Sequence, residues 1–124
     1  GAMKLITNNP KFKSEKYRDI DIEYYDADYL DILIKVRDLV YRNYELVTHP
    51  LYGSVKPNET IYRSIVIKEG NVLDLNSVNL ASEAIGSFEK FRKNRGVPNW
   101  TESVRDDFSV IDHDLISNAI KRIL

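Results

Sequence analysis

Four short stretches of the chain are rich in apolar and β-branched residues and border on turn-forming residues, which is the pattern of β-strands. The second of them alternates apolar and charged residues, as a half-buried strand does. The four predicted strands are, in chain order, Lys4–Thr7, Ile20–Tyr25, Glu45–Thr48 and Tyr62–Lys68.

Helical spacing of apolar residues appears between and after these strands. From Tyr29 to Val40 such residues recur every three or four positions, which predicts a long helix capped by Asp26 or Asp28. Asn43 is suited to end it in the left-handed conformation. A second helix is predicted to begin at Asn76 or Ser77 and to end before Gly96.

The last part of the chain carries one more apolar helix face, formed by Leu115, Ile116, Ala119, Ile120 and Ile123. Its expected cap is Asp112 or Ser109, with a separate short helix over Trp100–Phe108. Another turn or two of helix is expected between Lys11 and Asp19.

The order of these elements predicts an α/β fold with a small, mainly parallel sheet of about four strands and flanking helices. Right-handed crossovers from a central strand one give a Rossmann-like order 2-1-3, so that strands one and three are parallel neighbours. We expect residues 3–124 to form a single domain. Gly1 and Ala2, which precede Met3, are interpreted as the remnant of an expression tag.

Composition narrows the classes of function. The 124 residues include 18 Lys and Arg against 19 Asp and Glu, a net charge of −1, which disfavours binding to nucleic acid. The chain has no cysteine, so it cannot supply a thiol nucleophile or a disulfide. Because no apolar run approaches the roughly 18 residues of a membrane span, we expect a cytoplasmic protein without membrane association.

A candidate binding site follows from the predicted sheet, because ligands of such folds bind beyond the carboxyl ends of the strands where the strand order reverses. The polar segments that leave strands one and three would meet there. The candidate ligand-binding residues of these segments are Thr7, Asn8, Asn9, Thr48, His49, Gly53, Ser54, Lys56, Asn58 and Thr60.

The segment from Gly53 to Thr60 contains hydroxyls, an amide, an ammonium and glycine-exposed backbone N–H groups, which are donors suited to a phosphate or carboxylate. Its spacing does not match a Walker loop. The alternative is that Ser54, Asn58 and Thr60 hydrogen-bond their own backbone and only stiffen the loop.

Two histidines are the remaining candidates for chemistry. His49 follows strand three, where it could transfer a proton or contact a ligand, or equally could bond a loop carbonyl in a structural role. His113, between Asp112 and Asp114, is assigned to helix capping and the surface. The sequence contains no dinucleotide, zinc-protease, calcium-loop or nucleophile-elbow motif, and we expect no cofactor, no metal and no catalytic residue.

Four further segments of the chain form a distinctive set, Ile6–Pro10, Val36–Leu39, Thr48–Thr60 and Asp107–Asp112, of which Thr48–Thr60 is the most specific. Together they resemble the GrdX-type proteins, small proteins encoded among glycine reductase components in amino-acid-fermenting anaerobes. The resemblance extends over nearly the whole chain.

The resemblance implies an association with a selenoprotein-dependent reductase system and carries over no catalytic residue. Because a chain without cysteine cannot run thiol chemistry by itself, we expect a non-redox accessory protein. It would bind a reductase component or a small anionic metabolite through residues 7–10 and 48–60. The alternative is a small hydrolase or transferase that acts on an anionic metabolite with His49 as acid or base and Lys56 as an electrostatic clamp. The sequence favours the non-enzyme and leaves homo-oligomerisation open.

Overall fold

The computed structural model describes residues 2–52, 61–95 and 100–124. In these ranges four strands and three helices follow one another, with a single 3-10 turn over Pro10–Phe12. The strands are β1 (Met3–Thr7), β2 (Ile20–Tyr24), β3 (Tyr44–Leu46) and β4 (Ser64–Glu69). The helices are α1 (Tyr29–Val40), α2 (Leu75–Arg95) and α3 (Glu102–Ile123).

The strands form one mixed sheet in the order β2-β1-β4-β3. β1 is parallel to β2, whereas β4 is antiparallel to both of its neighbours, β1 and β3. The α/β class and the strands are therefore confirmed. The prediction of a mainly parallel sheet is wrong, and so is the prediction that strands one and three pair directly.

Burial explains the corrected order. Ile65, Val66 and Ile67 of β4 are all fully buried, so this strand needs a neighbour on each side and a helix on each face. All three residues of β3 are only partly buried, which suits an edge strand. β4 accordingly lies between β1 and β3, and β3 still runs in the same direction as β1.

α1 and α2 cover one face of the sheet. Because successive strand residues point to opposite faces, Ile6, Ile65 and Ile67 share this face. Buried residues of both helices pack on them, and the rings of Tyr29 and Phe88 stack with centroids 4.8 Å apart and planes 8° from parallel. This apolar cluster is the larger of the two in the core.

α3 and the 3-10 turn cover the opposite face. Leu5 and Val66 point this way and contact Phe12, Ile116 and Ile120. The buried residues of α3 begin only at Ser109, so the first seven positions of the helix bury no side chain. The apolar contact of α3 with the sheet is therefore made by its second half.

The helix boundaries confirm part of the sequence analysis. Asp28 caps α1 in a capping box with Asp31. The helix ends at Val40 with Tyr41 as its C-cap, and Asn43 adopts the predicted left-handed conformation, φ 75°, in the turn that follows. α2 begins at Leu75, slightly earlier than predicted, because Asp74 accepts a hydrogen bond from the backbone N–H of Ser77 at 3.0 Å. Of the turn or two of helix expected between Lys11 and Asp19, only the 3-10 turn over Pro10–Phe12 is present, and it begins one residue before the predicted range.

The prediction for the end of the chain is wrong in one respect. α3 is a single helix that begins at Glu102, and Thr101 is its N-cap through a bond from the N–H of Val104. Ser109 and Asp112 are therefore interior residues of this helix and cap nothing. The predicted short helix over Trp100–Phe108 is its first part.

Candidate functional site

The site lies at the end of the sheet where β1 finishes and β4 begins. Thr7 pairs with Ser64 in the sheet register, and the N–H of Asn8 donates to the carbonyl of Arg63 at 3.4 Å. β3 ends at the same edge, because the N–H groups of Val47 and Thr48 both donate to the carbonyl of Val66. Strands one and three thus finish at the same end of the sheet, as predicted, although β4 separates them and residues 53–60 of the second segment lie outside the described residues.

A buried polar network occupies this end of the sheet, and the carboxylate of Asp112 is its centre. One oxygen, Oδ2, accepts from the hydroxyl of Ser64 at 2.7 Å and from the side-chain amide of Asn9 at 3.0 Å. The other oxygen, Oδ1, lies 3.4 Å from Nη2 of Arg63. The hydroxyls of Thr7 and Ser64 are 2.6 Å apart. We call these five residues, Thr7, Asn9, Arg63, Ser64 and Asp112, the polar network.

Asn9 links β1 to two other elements. Its side-chain Nδ2 also donates to the carbonyl of Ser109 in α3 at 2.8 Å, while Oδ1 accepts from the N–H of Lys11 and caps the 3-10 turn. Its own N–H donates to the hydroxyl of Thr7 at 2.9 Å. Thr7 and Asn9 are fully buried, so both side chains hold the protein together at this edge.

Asn8 fixes the chain on the other side of the same edge. Its Nδ2 donates to the carbonyls of Ala27 at 3.0 Å and Ile61 at 2.9 Å, and its Oδ1 accepts from the N–H of Arg63 at 2.8 Å. Every polar atom of this amide has a protein partner. Asn8 therefore joins the end of β1 to the segments that precede α1 and β4.

Thr48 and His49 also have local partners. The hydroxyl of Thr48, which is buried, accepts from the N–H of Val66 at 3.0 Å. His49 is exposed, and its Nδ1 accepts from the N–H of Leu51 at 3.0 Å. This bond gives the ring a structural role in the turn, although its partner is a backbone N–H and not the loop carbonyl of the expected alternative.

The remaining predicted site residues lie outside the described residues. They are Gly53, Ser54, Lys56, Asn58 and Thr60. The described residues on either side of this segment do bond to the same end of the sheet. The carbonyl of Tyr52 accepts from Arg63 at 2.7 Å, and the carbonyl of Ile61 accepts from Asn8.

Arg63 is the main residue that the sequence analysis missed. Only 2% of it is exposed, and its guanidinium reaches the carbonyls of Pro50 and Tyr52, the Asp112 carboxylate and the hydroxyl of Tyr29. Arg63 falls within the predicted strand Tyr62–Lys68, close to the apolar run Ile65–Ile67. This position could have indicated its role, because a cation that is buried in a strand requires partners. Asp112 carried a similar signal, since it falls on the helix face of Ile116 and Ile120.

A cleft of about 390 Å³ adjoins the network on the α3 side. Two cationic side chains and two carboxylates border it, together with Tyr62 and Ser109, and Ser109 also belongs to the surroundings of Asn9. The charged residues are Lys11, Arg105, Glu102 and Asp106. A charged small molecule or a charged side chain of a partner could be bound there.

His113 lies away from this cleft. Its Nε2 contacts a carboxylate oxygen of Glu15, its Nδ1 lies 3.7 Å from Asp114, and its ring lies 4.8 Å from that of Phe12. The expected capping role is wrong because the residue is interior to α3. Its contacts join the helix to the turn after the 3-10 segment.

The described residues show neither a cluster of metal ligands nor a membrane-spanning helix. Across 2–52, 61–95 and 100–124, no group of three or more His, Asp or Glu side chains could hold a metal ion. No helix in these ranges is both long and apolar enough to cross a lipid bilayer.

The fold and this polar edge define a small α/β protein with a candidate binding site that its own buried side chains hold in place. The model of a family described as GrdX-like protein matches residues 4–121, so the chain belongs to the GrdX-like family. This membership confirms the resemblance and is consistent with a protein associated with glycine reductase. No curated protein and no solved structure matches the chain.

Proposed function

We propose that this chain is a non-redox accessory protein of a glycine reductase system. It binds a reductase component or a small anionic ligand through residues 7–10 and 48–60. The family supports the association with the reductase. The finer assignment rests on the chemistry of the sequence and on the arrangement of the polar edge.

One observation carries this proposal more than any other. The two flanks of the segment 53–60 are bonded to the end of β1 and the start of β4, through Tyr52 with Arg63 and through Ile61 with Asn8. The segment richest in anion donors therefore leaves and returns at one fixed place. A preorganised site loses less conformational entropy on binding than a mobile one.

We propose that one group of residues holds the site in shape and that another group contacts the ligand. Thr7, Asn8, Asn9 and Thr48 are buried and bond to protein groups, so they hold the site in shape. We assign hydrogen-bond donors to Ser54, Asn58 and Thr60, backbone N–H groups to Gly53 and the positive charge to Lys56. His49 is exposed and can contact a ligand through Nε2 while Nδ1 holds the turn.

The absence of cysteine from the full sequence supports a non-redox role. Thiol and selenol chemistry needs a sulfur or selenium nucleophile, which a protein partner would have to supply. The chain is then a binding component rather than the reductant. The alternative hydrolase or transferase would have to use Nε2 of His49 as acid or base, because Nδ1 accepts from the N–H of Leu51.

Binding of purified reductase components to the immobilised chain tests this function. We expect Lys56→Ala to weaken binding about 10- to 100-fold, since a charged hydrogen bond contributes about 1.5–3 kcal/mol. Inorganic phosphate and acetate are measured in parallel by calorimetry, which separates a small anion from a protein partner. The thermal unfolding midpoint of Lys56→Ala should equal that of the unaltered chain.

The matched control is Lys90→Ala, which removes an exposed lysine from α2. It should bind as the unaltered chain does. Equal binding by Lys56→Ala and the unaltered chain, together with a loss of thermal stability in Ser54→Ala and Asn58→Ala, would mean that these residues only stiffen the loop. Absence of binding to every component and both anions would remove the proposed function altogether.

A further inference from the structure

The guanidinium of Arg63 contacts two separate parts of the chain. Nη2 donates to the carbonyl of Tyr52 at 2.7 Å and Nη1 to that of Pro50 at 3.4 Å. On its other side, Nη2 lies 3.4 Å from Oδ1 of Asp112 in α3. One buried guanidinium thus contacts the chain after β3 and the middle of α3 at the same time.

The backbone of Arg63 is held as firmly as its side chain. Its N–H donates to Oδ1 of Asn8 at 2.8 Å, and its carbonyl accepts from the N–H of Asn8. The side chains of Arg63 and Asp112 are each only 3% exposed. The backbone of Arg63 is therefore fixed relative to β1, and the contacts with Tyr52 and Asp112 fix its guanidinium.

We propose that Arg63 is a positioning residue: with Asp112, its guanidinium fixes the Pro50–Tyr52 stretch against α3 and so sets where the chain enters the binding segment. The inference rests on the proposed function, because it concerns the flank of that same segment. Arg63 itself contacts no ligand in this scheme. Its effect on binding passes through the backbone of Pro50 and Tyr52.

The geometry explains why an arginine occupies this position. The planar guanidinium offers several N–H donors in a rigid fork, whereas a lysine ammonium is a compact point charge. A lysine could keep a charge near Asp112 but could not also reach both carbonyls in the same plane. A buried ion pair adds little net stability over apolar residues, so a specific geometry is the stronger reason for it.

Hydrogen exchange of Arg63→Lys in the full chain tests this role. The amide of Tyr52, which donates to the carbonyl of His49 at 2.9 Å, reports the position of the flank. We expect it to exchange at least 10-fold faster in Arg63→Lys. The amide of Val78 in α2, which donates to the carbonyl of Asp74, should keep its exchange rate. A general loss of stability would accelerate both amides, so the difference isolates positioning.

Arg18→Lys is the matched control, since 92% of the Arg18 side chain is exposed. It should leave both amides unchanged. An unchanged Tyr52 amide in folded Arg63→Lys overturns the proposal. If that variant does not fold, nitrogen-15 spectra of the unaltered chain decide: restricted rotation gives resolved Nη signals for Arg63, and a single averaged signal overturns the proposal.

Binding measured on the same Arg63→Lys sample separates the two proposals. Faster exchange at Tyr52 with at least 10-fold weaker binding of the reductase component supports both. Faster exchange at Tyr52 when even the unaltered chain binds nothing supports the positioning role and removes the proposed function. Unchanged exchange with normal binding leaves the proposed function and overturns the positioning role.

Discussion

The two faces of the sheet are packed by different kinds of side chain. A cluster of buried, mainly apolar side chains lies between the sheet and α1 and α2, and it includes the stacked rings of Tyr29 and Phe88. The opposite face has a smaller apolar cluster, and the polar network completes the contact between β1, β4 and α3. The buried carboxylate of Asp112 belongs to the α3 face, and the guanidinium of Arg63 lies between it and the ring of Tyr29, 5.5 Å away, at the border of the apolar cluster.

This difference assigns different tasks to the two faces. Apolar burial is non-directional and proportional to area, so the α1 and α2 face supplies stability without fixing fine geometry. Hydrogen bonds are directional, and a buried polar group is costly when it loses its partner. The α3 face therefore fixes the position of the edge to which the candidate site belongs.

Phe88→Ala should have the largest effect on stability because it removes a fully buried ring from the apolar cluster. Phe88 is 1% exposed and stacks on Tyr29, and a change of this kind costs about 3–5 kcal/mol. The free energy of unfolding is measured by urea denaturation. Phe108→Ala is the control, because this half-buried ring of α3 meets Trp100 edge-on and should cost clearly less. Equal losses in the two variants would contradict the assignment of stability to the apolar face.

Asp112→Asn should have the next largest effect, and of a different kind. An asparagine can still accept from Ser64 and Asn9 through one oxygen, but it then turns an N–H₂ group toward Arg63. The buried guanidinium loses its carboxylate, which costs about 3 kcal/mol. Denaturation measures the stability, and hydrogen exchange at Tyr52 should rise beyond what the global loss explains.

Asp107→Asn is the control for that prediction, since this carboxylate lies on the exposed side of the same helix. It should change the free energy of unfolding by less than about 0.5 kcal/mol. If Asp112→Asn unfolds like the unaltered chain, the polar network does not hold α3 in place, and the contrast between the two faces disappears.

The sequence predicts these two faces unequally well. The spacing of apolar residues along the chain differs between helices and strands. This spacing therefore predicted α1, the strands and the apolar half of α3. It did not place β4 between β1 and β3, because strand order depends on how long-range pairings compete for burial. The fully buried run Ile65–Ile67 was the physical reason for the central position.

The polar face escaped prediction for a related reason. A single carboxylate such as Asp112 is normally read as a cap or as a solvated residue, and its partners are distant in sequence. Asn9 and Asp112 are 103 positions apart, and Ser64 and Asp112 are 48 apart. The sequence placed Thr7, Asn8 and Asn9 at the right edge of the sheet but could not give their partners.

The smallest predicted effect comes from an ion pair at the rim of the apolar face. Nζ of Lys4 lies 2.6 Å from a carboxylate oxygen of Glu23, and both side chains are a quarter or more exposed. Burial by itself would raise the pKa of Glu23, but hydrogen bonds from Lys4 and Tyr25 outweigh it, so the pKa of Glu23 is lowered. The hydrogen bond to Glu23 raises the pKa of Lys4.

Glu23→Gln should therefore cost less than about 1 kcal/mol at neutral pH, far less than the loss of the buried Asp112 carboxylate. Because folding lowers the pKa of Glu23, its contribution is present above the ordinary glutamate pKa of about 4.3 and is lost as the pH falls through the lower value in the folded chain. Urea denaturation at neutral pH and near pH 3 should show the difference between variant and unaltered chain shrinking in acid. High salt should shrink it as well, because exposed charges are screened. A loss as large as that of Asp112→Asn would mean that exposed and buried pairs stabilise this chain alike.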